Sequence, residues 1–218
     1  MTKVKLCGLQ SVQDVLAAKT AQADYIGFVL AKSKREVTAQ EVNQYLAPLR
    51  SEHEVNPTPV LVLVNRTEEE IAFLCSVTGV THVQLCGEES QELCSRLGTL
   101  HGLHVWKTWS VRGSREDDML SVYGDHVDAV LLDTYQFATH GGTGHPFQWD
   151  SISRIKTMIP STPLIIAGGL TPLTVGSLVA QYHPFAVDVS SGIETAGKKD
   201  PEKMNAFVEA ARSGSHVS

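Results

Sequence analysis

The amino-acid sequence predicts a single closed (β/α)8 barrel, an α/β fold in which each of eight parallel strands is followed by a helix. Short β-rich runs alternate with amphipathic stretches along the whole chain, and such alternation indicates parallel pairing. The chain has 218 residues, a length that these barrels reach as single domains. It lacks the N-terminal G-x-G-x-x-G sequence that would favour an open, doubly wound sheet.

Eight short segments rich in β-branched and apolar residues are the predicted strands. They are bounded by turn and capping residues, as expected for buried parallel strands. In chain order they are Val4–Leu6, Tyr25–Leu30, Val60–Val64, His82–Leu85, His104–Trp109, Asp128–Leu132, Leu164–Ala167 and Phe185–Val189. Because the strands of such a barrel are parallel, their C-terminal ends meet at one rim, where the active sites of these barrels lie.

Helices between the strands are predicted from the spacing of apolar residues. Side chains three and four positions apart share one face of a helix. Three segments show this spacing: Val42, Tyr45, Leu46 and Leu49; Ile71, Leu74, Cys75 and Thr78; and Met204, Phe207, Val208 and Ala211.

Capping residues mark where several helices should begin. A hydroxyl residue three positions before a carboxylate is a capping box, and a capping side chain before a proline marks the first helical position. The capping boxes begin at Ser11, Thr38 and Thr67, and the cap-proline pairs are Thr171-Pro172 and Asp200-Pro201. We therefore predict a barrel domain over residues 1–212 and a disordered tail over 213–218.

Composition narrows the class of protein. The formal net charge is −6, and the chain has no run of Lys or Arg, which argues against nucleic acid or an anionic membrane as partner. No apolar run approaches a membrane span, and the N-terminus enters a strand pattern without a signal-peptide core. The four cysteines lack C-x-x-C spacing. We expect reduced thiols, a cytoplasmic location and no metal site.

Small-residue turns follow predicted strands seven and eight. They are Gly168-Gly169 and Ser190-Ser191-Gly192. In (β/α)8 barrels, turns at these two places form a phosphate-binding site with the N-terminus of a short extra helix. The sequence therefore predicts that the protein binds a phosphorylated small molecule.

Reactive side chains end other predicted strands. Cys7 follows strand one, Arg35 lies in a basic loop after strand two, and Asp133 ends strand six. Strands one and six are three apart in a ring of eight, so Cys7 and Asp133 should flank a substrate from nearly opposite sides. A base and an acid placed in this way can remove a proton from a carbon and donate one to an oxygen. That chemistry fits aldose–ketose isomerisation of a phosphosugar without a metal.

Six motifs occur in order along the chain. They are Lys5–Leu9, Gln84–Gly87, Leu131–Thr134, Gly141–Gly144, Ala167–Leu170 and Asp188–Glu194. Together this ordered set, which covers essentially the whole chain, closely resembles the phosphoribosylanthranilate isomerases of tryptophan biosynthesis. Cys86 departs from the pattern, because the family commonly has a histidine there.

The resemblance implies a cofactor-free Amadori rearrangement of N-(5'-phosphoribosyl)anthranilate to 1-(2-carboxyphenylamino)-1-deoxyribulose 5-phosphate. It implies that Cys7 is the general base, that Asp133 is the general acid that opens the furanose, and that Arg35 holds the anthranilate carboxylate. It also implies a ribose-hydroxyl contact by Asp188. The full set of implied substrate contacts is Arg35, Gln84, Gly142, Gly144, Gly168, Gly169, Asp188, Ser190 and Gly192.

Other activities remain open at this point. The same barrel could serve another phosphosugar isomerase, such as one of the histidine-pathway type, or an aldolase that forms a Schiff base through Lys5 or Lys107. A phosphometabolite-binding protein without catalysis is a third alternative. We expect a small phosphosugar as the ligand, no nucleic-acid or membrane partner, and a monomer or weakly associating dimer.

Overall fold

In a computed structural model, eight parallel strands close into a barrel in sequence order, β1 to β8, which confirms the predicted fold. The structure describes residues 1–50, 56–110, 120–133 and 150–215. The barrel closes where β1 pairs with β8, and Lys5 lies opposite Asp188 in that pairing. This closure brings together residues from the two ends of the chain.

The barrel strands lie close to their predicted positions. Their bounds are β1 Lys3–Cys7, β2 Tyr25–Val29, β3 Thr58–Leu63, β4 His82–Leu85, β5 His104–Ser110, β6 Ala129–Asp133, β7 Leu164–Ala167 and β8 Ala186–Val189. The largest shift is at β3, which begins at Thr58 because Thr58 and Pro59 continue the pairing with β2. Val64, predicted as the end of this strand, is 40% exposed and lies beyond it.

Helices follow the strands around the outside of the barrel. Their bounds in the described residues are α1 Val12–Thr20, α2 Ala39–Arg50, α3 Glu68–Thr78, α4 Gln91–His101, α5 Leu120–Tyr123, α6 Asp150–Met158, α7 Val175–Tyr182 and α8 Pro201–Gly214. The three apolar faces predicted from spacing lie in α2, α3 and α8 and pack against the core. A short hairpin of β9 (Glu194–Thr195) and β10 (Lys198–Lys199), which the sequence did not predict, precedes α8.

Four of the five predicted helix caps are confirmed, and one is wrong. Ser11 caps α1, and Thr38 forms a reciprocal capping box with Glu41 at the start of α2. Thr67 forms a reciprocal capping box with Glu70, and the Asp200 side chain accepts hydrogen bonds from the first turn of α8. Thr171 does not cap a helix beginning at Pro172. Its backbone N–H instead donates to Thr174 Oγ1 at 3.0 Å, so residues 171–174 form a turn and α7 begins at Val175.

The apolar core has two layers. One lies outside the barrel, between the strands and the helices, and the other lies inside the barrel. The larger apolar cluster joins one face of the strands to the helices. The smaller cluster contains strand residues such as Val60, Trp106, Leu131 and Ile165 and, among the residues that the structure describes, no helix residue, so it fills the barrel interior. Because neighbours along a strand point to opposite faces, the outward Val4 and Leu6 leave Lys5 and Cys7 facing inward.

The last helix runs beyond the boundary that we predicted for the tail. α8 continues to Gly214, and Gly214 is buried, whereas we expected disorder from residue 213. A Cβ atom at position 214 would overlap the carbonyl oxygen of Gly176 in α7. The two helices therefore pack backbone to backbone at this point, and residues 216–218 lie outside the described part of the chain.

This close helix contact predicts a stability effect. Gly214→Ala should lower the free energy of unfolding by about 1–3 kcal/mol, because an added methyl group must push α7 and α8 apart. Ser213→Ala, one residue earlier on an exposed position of the same helix, is the matched control. Urea unfolding of both variants measures the difference. Equal stabilities would show that α8 is not held at its end by this contact.

Candidate active site

A cavity of about 350 Å³ opens at the C-terminal rim of the barrel. Its wall combines the loop after β2, the end of β6 and the segments that end β7 and β8. Of the predicted site residues, it brings together Arg35, Asp133, Gly168, Gly169, Asp188 and Ser190. These residues are far apart in sequence and meet only because the barrel closes.

Cys7 ends β1 at the same rim of the barrel, beside the residues that line the cavity, and is 6% exposed. Its carbonyl oxygen accepts a hydrogen bond of 3.1 Å from Ser190 Oγ, so the turn after β8 is tied to the strand that carries the thiol. Burial raises the pKa of the Cys7 thiol, and the neighbouring Lys5 ammonium opposes that rise. The thiol is therefore shielded from water but has a cation beside it.

Asp133 ends β6 and lies in the cavity wall, partly buried. Its strand pairs with β7, where Ala167 is directly opposite and leads into Gly168. Asp188, at the inner face of β8, lines the same cavity. Asp188 Oδ1 also accepts a hydrogen bond of 2.9 Å from Lys5 Nζ, which connects the cavity wall to the strand of Cys7.

Arg35 crosses the rim close to Cys7. A Cβ atom at Gly8 would overlap the Arg35 side chain, and Gly8 has a φ of +74°, a conformation that favours glycine. The Arg35 Nε donates a hydrogen bond of 2.6 Å to Glu194 Oε1. In the described part of the chain, Glu194 is the residue that accepts a hydrogen bond from this guanidinium.

Glu194 and Lys199 form the support for Arg35, and sequence reasoning gave neither a role. They are paired directly across the β9–β10 hairpin, whose turn has left-handed residues at Ala196 and Gly197. Lys199 Nζ donates to Glu194 Oε1 at 3.0 Å. Although burial acts to raise it, the hydrogen bonds from Arg35 and Lys199 lower the pKa of Glu194 to about 2. The sequence signal for this hairpin is the Ala196-Gly197 dipeptide, which lies between Glu194 and the two lysines that follow it.

The predicted phosphate-binding segments directly follow β7 and β8 in the structure. Gly168 and Gly169 have φ angles of +93° and +68°. A 3₁₀ turn at Ser191–Ile193 provides the short extra helix expected after β8. The structure gives a further reason for Gly192, because a Cβ atom there would overlap the Leu170 carbonyl oxygen. The other two predicted glycines, Gly142 and Gly144, lie outside the described residues.

Gln84 lies on the inner face of β4 and is 5% exposed. Its side-chain nitrogen is 3.2 Å from Thr108 Oγ1 and 3.3 Å from Cys86 Sγ. Its side-chain oxygen has no hydrogen-bond partner among the residues that the structure describes. Cys86 therefore belongs to a polar cluster of the barrel interior with Thr108.

Both lysines considered as Schiff-base nucleophiles are held in buried ion pairs. Lys107 Nζ lies 2.7 Å from Glu89 Oε2, and Lys5 Nζ lies 2.9 Å from Asp188 Oδ1. Although burial lowers it, the charge of Asp188 raises the pKa of Lys5 above its usual range. A Schiff base requires a neutral amine. The pairing therefore disfavours the aldolase alternative.

Within residues 1–50, 56–110, 120–133 and 150–215, no group of three or more His, Cys, Asp or Glu side chains is arranged to hold a metal ion. Within the same ranges, no helix is both long and apolar enough to cross a membrane.

Comparison with protein families matches residues 4–210 to the family described as N-(5'-phosphoribosyl)anthranilate isomerase. A protein of that name from Brevibacillus brevis is 37% identical over 214 residues, which span 97% of this chain and 94% of the relative. Another of that name from Listeria monocytogenes is 38% identical over 209 residues, 96% of this chain and 98% of the relative.

Solved structures agree with the sequence relatives. The phosphoribosylanthranilate isomerase of Thermotoga maritima superposes with a TM-score of 0.84 and 33% identity, covering 97% of this chain and 99% of that one. A phosphoribosylanthranilate isomerase in complex with reduced 1-(o-carboxyphenylamino)-1-deoxyribulose 5-phosphate gives a TM-score of 0.82 at 32% identity, with the same coverage. A 3-hexulose-6-phosphate synthase, at 14% identity and a TM-score of 0.69, shares the fold.

Proposed function

Because the chain belongs to the N-(5'-phosphoribosyl)anthranilate isomerase family, we propose that its own residues carry out that reaction in the cavity at the barrel rim. The protein isomerises N-(5'-phosphoribosyl)anthranilate to 1-(2-carboxyphenylamino)-1-deoxyribulose 5-phosphate, a step of tryptophan biosynthesis. One observation carries the proposal. Asp133, Arg35 and the Gly168-Gly169 turn line a single cavity, and the buried thiol of Cys7 lies next to it.

Asp133 acts as the general acid in this proposal. It donates a proton to the ring oxygen of the ribose, and the bond from that oxygen to the anomeric carbon breaks. The electron pair of the anthranilate nitrogen then forms a C=N bond to the anomeric carbon. Asp133 lines the cavity, so its carboxyl can lie beside the ring oxygen of a bound sugar.

Cys7 acts as the general base. As a thiolate it removes the proton from the sugar carbon next to the anomeric carbon, and the electron pair left behind neutralises the C=N⁺ group. The resulting enol becomes the ketone as the anomeric carbon gains a proton and the hydroxyl loses one. Protons therefore balance within the substrate and the two side chains, and no electron acceptor is needed.

Arg35 and Asp188 hold the two ends of the sugar-anthranilate unit in place. The planar fork of Arg35 suits the anthranilate carboxylate, and Glu194 fixes the fork from its Nε side. Asp188 lines the cavity and takes a ribose hydroxyl. Gln84 offers an acceptor oxygen at the inner face of β4.

The phosphate lies between the turns after β7 and β8, where Gly168, Gly169, Ser190 and Gly192 provide backbone N–H groups. Gly142 and Gly144, which follow β6 in the sequence and lie outside the described residues, add further contacts in this proposal. A backbone site suits an acidic protein, because the anion is bound by local N–H groups and not by the overall charge of the chain.

We also infer a cytoplasmic location and a monomer or weakly associating dimer, with no nucleic-acid or membrane partner. A base thiol must stay reduced, and the cytoplasm keeps thiols reduced. The barrel domain of residues 1–212, extended by the end of α8, contains every residue that the proposal uses.

Growth tests the proposed function directly. A bacterial strain that requires tryptophan because it lacks this isomerase should grow without tryptophan when it expresses the protein. Purified protein mixed with substrate and borohydride should give no covalent adduct on Lys5 or Lys107. A trapped adduct together with failure to restore growth would favour the aldolase alternative.

The phosphate site makes a specific prediction. Gly169→Val should raise KM and abolish inhibition by inorganic phosphate, because a branched side chain would occupy the place of the anion and disturb a left-handed turn, with a backbone strain of about 1–3 kcal/mol. Gly79→Val is the matched control. Gly79 has a similar φ of +71° and equally open space around a Cβ atom, but it ends α3 away from the rim.

Steady-state kinetics with added phosphate, together with thermal unfolding, separates the two variants. Both should lose similar stability, and the change in KM should belong to Gly169→Val alone. A folded Gly169→Val protein with parental KM and parental phosphate inhibition would place the phosphate elsewhere.

A further inference from the structure

The barrel interior beneath the active site contains a fully buried cation. The Lys5 side chain is 0% exposed, and its Nζ lies 2.9 Å from Asp188 Oδ1. Taking an ammonium group out of water is costly, and a lone carboxylate partner rarely makes such a pair more stabilising than apolar packing. Stability alone therefore does not explain the Lys5–Asp188 pair, which lies directly below the candidate active site.

Lys5 and Cys7 share the inner face of β1 and lie side by side. Both side chains lie against Gly27 of the neighbouring strand β2. A Cβ atom at Gly27 would lie 2.7 Å from Cys7 Sγ and 3.0 Å from Lys5 Nζ. Glycine at this position leaves room for the thiol and the ammonium to occupy the same part of the barrel interior.

We propose that Lys5 is a positioning residue of the reaction, whose buried charge stabilises the thiolate of Cys7 that acts as base. The inference rests on the proposed role of Cys7. Asp188 keeps Lys5 protonated and aims it along the inner face of the barrel. The ammonium does not touch the substrate; it acts through Cys7.

Other groups around Cys7 either stabilise or destabilise its thiolate. Asp188 on β8 repels a thiolate, Lys199 on β10 attracts it, and the Cys86 thiol lies near enough to interact with it. Burial itself raises the pKa of the Cys7 thiol, and Lys5 is the largest opposing influence. Because the site is shielded from water, the attraction between the Lys5 ammonium and a thiolate is much stronger than it would be at the surface.

The pH dependence of Cys7 alkylation tests this role without relying on catalysis. Iodoacetamide reacts with the thiolate, so the rate of labelling follows the thiolate fraction. Tryptic digestion separates Cys7 from the other three cysteines, because cleavage after Lys19 and after Lys5, or after Lys3 where Lys5 is replaced, leaves Cys7 in a peptide of its own. Mass spectrometry of that peptide gives the pH at which labelling is half-maximal.

Lys5→Met should move this midpoint upward by at least about one pH unit, a tenfold loss of thiolate at a given pH. Lys5→Met combined with Asp188→Asn removes both charges and leaves no unpaired buried carboxylate. Its midpoint should lie between those of the parent and the single variant. Loosening of the structure would have the opposite effect, since exposure to water lowers the pKa of a buried thiol.

Lys107→Met combined with Glu89→Gln is the matched control, because it removes another buried ion pair of the barrel. That variant should keep the parental midpoint. An unchanged or lowered midpoint in both Lys5 variants would overturn the proposal, and the double variant decides if the single variant does not fold. If labelling shifts as expected but the acidic limb of kcat/KM does not follow, Lys5 tunes Cys7 and the assignment of Cys7 as base is wrong.

Discussion

Cys7→Ala and Asp133→Asn should each lower kcat by about 10²–10⁴ while changing substrate binding far less. Each substitution removes the proton-transferring group and nearly keeps the shape of the side chain. Cys7 lies at the buried end of β1 and Asp133 in the cavity wall at the end of β6, so neither change should disturb the apolar clusters of the barrel.

Single-turnover rates and substrate binding measured on the same samples separate chemistry from affinity. Cys94→Ala is the matched control for the thiol, because Cys94 is also buried and free but belongs to α4 on the outside of the barrel. It should lose stability and keep kcat. If Cys7→Ala or Asp133→Asn retained near-parental kcat, that residue would lose its assigned role.

Arg35→Ala should cost about 2–5 kcal/mol in kcat/KM, because it leaves a desolvated carboxylate of the substrate without its partner. Arg35→Lys should restore only a small part of this loss. A lysine has one charged nitrogen, which cannot both replace the 2.6 Å hydrogen bond from Nε to Glu194 and offer a fork to the substrate.

A substrate analogue without the carboxylate identifies the contact. The parent enzyme should already use it poorly, and Arg35→Ala should make it little worse. Arg66→Ala, which removes an arginine paired with Glu70 on an exposed helix start, controls for the loss of positive charge. Equal penalties from Arg35→Ala on both substrates would show that Arg35 does not hold the carboxylate.

Much of the fold could be predicted because local signals agree with the global arrangement. The apolar spacing along α2, α3 and α8 and the capping box at Thr67 depend on residues close in sequence, and each prediction holds in the structure. Thr171-Pro172 failed for a local reason: Thr171 donates its backbone N–H to Thr174 and forms a turn. A capping residue before proline predicts this turn as readily as it predicts a helix start.

The residues at strand ends could also be predicted, since a closed parallel barrel brings every such end to one rim. The sequence does not predict which side chains meet where β1 pairs with β8 to close the barrel. Lys5 and Asp188 are 183 positions apart, as are Cys7 and Ser190, and each pair meets only through the junction of β1 with β8. The support of Arg35 by Glu194 required the two-residue turn of the β9–β10 hairpin to be recognised first.

The central claim is that this chain isomerises N-(5'-phosphoribosyl)anthranilate with Cys7 and Asp133 as base and acid. The most direct measurement is the decay of substrate fluorescence on addition of purified, chelator-treated protein, compared with Cys7→Ala and Asp133→Asn. We expect rapid decay with the parent protein and decay slower by about 10²–10⁴ with each variant. Decay at the uncatalysed rate with folded parent protein, or parental decay with both variants, would contradict the claim.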